Sequence, residues 1–253
     1  MKTLVFIFSA VLLASPSLRA DDCEGKPRPQ LCREMKQMRS GVVLLESQRE
    51  MLQVNYAWLQ VIGTELEQVA TAILRKMSSD QHMGVLNNVK DLARRIAMES
   101  ERKAPEALSL ANQMRFQCMA CHAPTGNPPG SDPSWDLVFG EYNWDKVIEK
   151  CNAFGRNPYL CRSMNALMSA YQYIERSHIS GTHNFEGARH ATLEIQRLAS
   201  DLRVRGMLHG SETVLKSVES DAIQLAKAFS EKDLTAYDRA KSLMSSCAQC
   251  HTR

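Results

Sequence analysis

RFQCMACHAP (residues 115–124) and CAQCHTR (residues 247–253) each contain Cys-x-x-Cys-His, and each closes a run with helical patterning. The second copy follows the first by 129 residues. That offset holds across most of the chain. Cys32, Arg33 and Met35 fall on Cys161, Arg162 and Met164. Leu66, Val69 and Ile73 meet Ile195, Leu198 and Leu202. Val85, Leu86 and Val89 meet Val214, Leu215 and Val218, and Ala93, Ala97 and Ala111 meet Ala222, Ala226 and Ala240. One register kept this long reads as a tandem duplication of two units of about 100 residues, an ordinary domain size.

Working outward from the pentapeptides, each copy shows four helical stretches. Leu31, Met35, Met38, Val42 and Leu45 recur at steps of four and three, as do Leu160, Met164, Leu167, Tyr171 and Ile174. Such a spacing makes one apolar stripe on a helix. Second helices are expected near 56–78 and 185–206, third helices near 83–102 and 211–230. The fourth in each copy ends in Cys-x-x-Cys-His. The segment SHISGTHN, 177–184, marks the first turn of the second copy. Neither copy shows strand-like alternation. The expected fold class is all-α, two tandem four-helix bundles with up-down-up-down topology. The first spans 21–122 and the second 151–253. Residues 123–150 form a linker, Pro/Gly/Ser-rich at first and then carrying Trp135, Phe139, Tyr142 and Trp144, which are expected to pack on one bundle or between the two.

The chain begins MKTLVFIFSAVLLASPSLRA. A basic Lys2, an apolar core from Leu4 to Ala14 and a small residue at Ala20 predict a secretory signal over 1–20, with a retained anchor as the alternative. The apolar core is too short to span a bilayer, and no later stretch is long and apolar enough. Removing Lys2 and Arg19 from 31 basic residues leaves 29 against 28 acidic ones. With no basic run and no interleaving of aromatic and basic residues, nucleic-acid binding has no support. The expected location is the periplasm, and an exported chain meets an oxidising compartment in which its eight cysteines need a chemical fate. CEGKPRPQLC (23–32) and CNAFGRNPYLC (151–161) differ by one loop residue. Each is a polar turn bracketed by cysteines. Local disulfides Cys23–Cys32 and Cys151–Cys161 are expected, the alternatives being free thiols or pairing across domains.

Cys-x-x-Cys-His is the attachment signal of c-type haem. Two thiols add to the haem vinyl groups as thioethers, and the adjacent His reaches the iron as proximal ligand. Cys118, Cys121 and His122 would hold one haem; Cys247, Cys250 and His251 would hold the other. A thioredoxin-like dithiol needs a βαβ context that is missing. A zinc site needs a fourth ligand. A disulfide across so tight a loop leaves the His unexplained.

A four-helix bundle with this motif on its last helix resembles the cytochrome c-prime family. The resemblance covers nearly all of residues 23–253, twice over, and implies proximal ligation by His122 and His251. Family members are usually single-haem chains, often dimeric; this chain departs by fusing two units. High-spin members leave the sixth iron position open and bind nitric oxide or carbon monoxide. Low-spin relatives place a Met there and look like electron carriers. In an antiparallel bundle the start of helix one lies beside the end of helix four. The repeat keeps Met at that start, as Met35 and Met164. A thioether is a soft ligand that raises the reduction potential relative to bis-His ligation, although Met is also ordinary core filling. Arg33 and Arg162 could pair with haem propionates or stand solvated. The remaining histidines, His82, His178, His183, His190 and His209, do not keep the offset, and a surface location is expected for them. These residues imply a dihaem electron carrier exchanging electrons with other periplasmic redox proteins, with a five-coordinate binder of diatomic gases as the alternative. No repeated distal His–Arg pair supports a peroxidase.

Overall fold

The structure, a computed structural model, describes residues 23, 27–49, 51, 53–76, 80–122, 144–153, 157–179, 183–208 and 210–248. Among these residues it is all-α. Among the described residues nine helices run in order: α1 (Pro29–Arg49), α2 (Tyr56–Lys76), α3 (Asp80–Glu101), α4 (Glu106–His122), α5 (Trp144–Ala153), α6 (Pro158–Ile179), α7 (Phe185–Val204), α8 (Glu212–Ser230) and α9 (Thr235–Ala248). The expected signal segment 1–20 lies outside the described residues. So do Trp135, Phe139 and Tyr142 of the linker. Among the described residues no helix is long and apolar enough to cross a membrane.

Local chemistry sets the helix ends. Asn55 Oδ1 accepts from Trp58 N at 3.1 Å, capping α2, and Asn184 Oδ1 accepts from Gly187 N at 2.9 Å, capping α7. Each bond satisfies an amide that has no partner inside the first helical turn. Asn157 does the same for Leu160 N at the start of α6. α3 and α8 stop in the same way. Lys103 and Lys232 both adopt left-handed backbone, at φ 55° and 57°. The next amides, of Ala104 and Asp233, bond back to Glu99 O and Ala228 O. The repeat thus extends to the backbone of its turns.

Between these ends, apolar positions three and four apart face inward. On α2 they are Leu59, Ile62, Leu66, Val69 and Ile73; on α7 they are Ala191, Ile195, Leu198 and Leu202, all buried. Each fully buried Leu or Ile contributes roughly 1.5–3 kcal/mol. Within the first half, α1 packs on α2 and α4, and α3 packs on α2 and α4. Within the second, α6 packs on α7 and α9, and α8 packs on α7 and α9. Across the halves α1 meets α6 and α2 meets α7. Gly63 brings α2 against α3 backbone to backbone. A Cβ there would lie 2.8 Å from Ala97 N and 2.9 Å from Ala93 O.

One helix falls where the sequence reads as linker. α5 begins at Trp144 and runs past residue 150 into the second unit. Ile148 packs against the core, and Cys151, in its last turn, is fully buried.

Candidate functional site

Cys118 stands one turn beyond the fully buried Met114 on α4, half-buried and packed against the core. Cys121 and His122 complete the last turn of the same helix. Positions three apart on a helix share a face, so 118 and 121 are neighbours. Cys247 stands in the last turn of α9. Cys250 and His251 lie outside the described residues. Each bracketing pair is joined at the start of its unit: Cys23–Cys32 with S–S 2.05 Å and Cys151–Cys161 with S–S 2.00 Å. Both bonds pin the chain to the first turn of α1 or α6, which carry Met35 and Met164. Both methionines are half-buried and packed against the core. Arg33 follows Cys32 on α1. Arg162 on α6 donates to Asn152 Oδ1 at 2.7 Å, within the bracketed turn.

Two side-chain pairs fix the antiparallel register of α1 against α4. Arg115 lies 3.5 Å from Glu46, a buried ion pair, and Arg49 donates to Asn112 at 3.2 Å. Continued along the two helices, this register sets residue 39 level with His122. Met38, buried beside residue 39, is therefore within one residue of that level, and Met35 stands about 6 Å from it along the axis at ~1.5 Å per residue. The 129-residue equivalent of Met38 is Leu167, also buried.

A second polar constellation lies between the halves. Glu194 on α7 has no exposed surface. It accepts from Gln48 Nε2 at 3.0 Å and from Asn55 Nδ2 at 2.9 Å, both in the other half, and is held bidentately by Arg197 at 2.6 and 2.8 Å. Glu65 on α2 is likewise buried and accepts from Tyr173 of α6 and from Gln37 of α1, with Asn184 beside it. Glu65 and Glu194 are 129 residues apart, as are Asn55 and Asn184. Each cap asparagine thus uses its oxygen on its own helix and its amide nitrogen at the carboxylate seam. Ser40 and Ser169, another pair at the same offset, line one small cleft at the α1–α6 crossing. Arg176 donates to Ser40 there at 2.6 Å. Equivalent helices meeting each other, with equivalent residues exchanging bonds, are the mark of an isologous, two-fold-like interface.

The symmetry breaks at the charges. Glu194 has Arg197, whereas the equivalent position in the first half is Gln68. Burial pushes the Glu65 carboxyl above the usual range, against the opposing pull of its hydrogen bonds from Tyr173, Gln37 and Asn184. Tyr173 is raised well above the usual phenol range, first by burial and then by the Glu65 charge. The sequence carried the signal for this seam. A Glu kept at the offset inside two otherwise apolar helix faces, and an Asn kept at the caps that begin them, mark polar groups with a fixed role.

Comparison with protein-family models, with curated proteins and with solved structures finds no match for this chain.

Proposed function

We propose that the chain is a periplasmic dihaem c-type cytochrome that passes electrons between redox partners, built as two tandem four-helix bundles with one haem at the end of each. The observation that carries the proposal is Cys-x-x-Cys-His occurring twice at one offset, the first copy closing α4 and the second beginning with Cys247 in the last turn of α9. The donor chemistry fits: two thiols three positions apart followed by an imidazole, with Cys118 packed against apolar core. Cys118, Cys121 and His122 would hold one haem; Cys247, Cys250 and His251 would hold the other. Bound there, haem supplies one-electron chemistry whose potential depends on axial ligand and burial. This chain's residues set those two quantities. Met35 and Met164 are the proposed sixth ligands, on helix starts fixed by the disulfides. Arg33 and Arg162 are the proposed propionate partners.

A second reading rests on the α1–α4 register. If the buried side chain next to the level of His122 faces the iron, it is Met38 in the first half and, by equivalence, Leu167 in the second. Leu cannot ligate. One site would then be six-coordinate and the other open to nitric oxide or carbon monoxide.

One preparation tests both. Acid extraction of the purified, denatured chain should leave its colour on the polypeptide, and its mass should exceed that of the processed chain by two haems. A colourless polypeptide at the bare mass overturns the proposal. Spectra of Met35→Ala, Met38→Ala and Met164→Ala then assign the ligands. Loss of the low-spin signature in the first and third supports the carrier with paired methionines. Loss in Met38→Ala alone, with carbon monoxide binding at the second site, supports the other reading.

A further inference from the structure

The segment SHISGTHN lies between the end of α6 and the start of α7, and the proposed function leaves it unused. His178 stands in the last turn of α6. His183, just before α7, has left-handed backbone at φ 42°. The amide of His183 bonds back to Ser177 O at 3.2 Å, which draws the two histidines together. Their ring centroids are 5.8 Å apart and the rings are inclined by 51°. Tyr237 of α9 lies behind both, stacked on His178 at 4.9 Å and tilted against His183 at 5.6 Å. Tyr237 is itself held by Ser177 Oγ at 3.3 Å and by the edge of Phe229.

Each of these rings keeps a buried Nδ1 with no hydrogen-bond partner in the protein. Buried polar atoms are nearly always satisfied, and two such nitrogens on adjacent rings call for a common explanation. Two imidazoles bound to one ion at ~2.0–2.1 Å stand with centroids roughly 5–6 Å apart, which matches the observed separation. Imidazole nitrogen suits zinc, copper and nickel ions.

We propose that His178 and His183 form a two-histidine site for a divalent late first-row transition ion, at the junction of α6, α7 and α9. Among the described residues no group of three metal-binding side chains converges, so the remaining positions on the ion fall to water or to an incoming carboxylate. Asp238, next to Tyr237, is a candidate. It interacts electrostatically with His178, and its exposed side chain pairs with Lys241 at 2.9 Å. Tyr237 and Phe229 form the rigid aromatic backing that keeps the two rings in place. The site stands apart from the Cys-x-x-Cys-His segments and does not depend on the haem reading.

Equilibrium dialysis of the full mature chain against zinc(II) alone, followed by elemental analysis, tests this. His178→Gln and His183→Gln should each retain one equivalent less than the unaltered chain. His190→Gln, whose ring already bonds Glu186 at 3.0 Å, should lose none. Equal retention in all four proteins overturns the site, as does an unaltered chain that holds no zinc. If either Gln variant loses its helical circular dichroism, X-ray absorption at the zinc edge of the unaltered chain decides. Two imidazole ligands support the site; one or none overturns it.

Discussion

Replacing Glu65 by Gln tests whether the seam between the halves contains a neutral acid. Three donors surround this carboxyl: the Tyr173 hydroxyl, the Gln37 amide and the Asn184 amide. All three favour the ionised form, yet burial outweighs them and the carboxyl titrates above its ordinary value of 4.5. The sign of the pH effect follows. A raised folded value means that the group's contribution to stability is fully present below about 4.5, the value for the unfolded chain, and is lost as pH climbs through the folded value. Across that window one proton released on unfolding lowers stability by up to ~1.4 kcal/mol per pH unit. Gln cannot release the proton. It keeps the shape, accepts through one oxygen, and needs only the Gln37 amide to turn over. Urea unfolding of both proteins, stepped upward from pH 4, should therefore show Glu65→Gln gaining steadily on the unaltered chain before the difference levels off. Glu175, also raised by burial, is present in both and cancels in the comparison. Parallel stability curves across the range would refute a neutral Glu65.

The other expectations use different links of the same chain of cause. Gly63→Ala should cost about 1–2 kcal/mol. Its new methyl meets backbone atoms of Ala93 and Ala97 that cannot rotate aside, and that overpacking exceeds the ~1 kcal/mol gained in helix propensity. Gly84→Ala, which meets nothing within 4 Å, should instead gain up to ~1 kcal/mol, so thermal unfolding of the pair separates packing from propensity. Arg197→Met keeps the stem but leaves Glu194 buried with amide donors alone. A loss on the order of 3 kcal/mol is expected, with most of it recovered when Glu194→Gln is added. Replacing Cys23 and Cys32 by Ser opens a short loop and should lower stability by ~2–3 kcal/mol in denaturant titrations under oxidising conditions, with no effect once both proteins are reduced.

Helix positions were legible because most helices here bury one face only. The stripes at 31–45 and 160–174 fall inside α1 and α6, and the second and third helices begin and end within about three residues of where the pattern puts them. α5 escaped notice because Pro and Gly dominate the segment before it, while its own signal is one short turn pattern ending at Cys151. α1 hides more. From Ser40 to Gln48 every residue is buried, including Glu46, Ser47 and Gln48, because this stretch is covered by α2, α4 and α6 together. A rule that assigns polar residues to solvent must fail on a helix enclosed on several sides. The same failure hid Glu65 and Glu194.

The repeat corrects for this where hydropathy cannot. A polar residue kept at a fixed offset in two diverged halves is constrained by something other than solvation, and at 65 and 194 that constraint is the opposite half. The differences are as informative as the matches. Arg197 faces Gln68 across the offset, and Tyr173 faces Leu44. The second half thus supplies the seam with both a compensating cation and a phenol that the first half lacks, and Gly187 leaves the space that phenol occupies. A Cβ there would come within 2.0 Å of the Tyr173 hydroxyl. Two identical units would have to share one solution for both carboxylates. Fusion into one chain lets one carboxyl be held by a cation and the other by a phenol, so the two sides of the seam, and whatever each half binds at its far end, are free to differ.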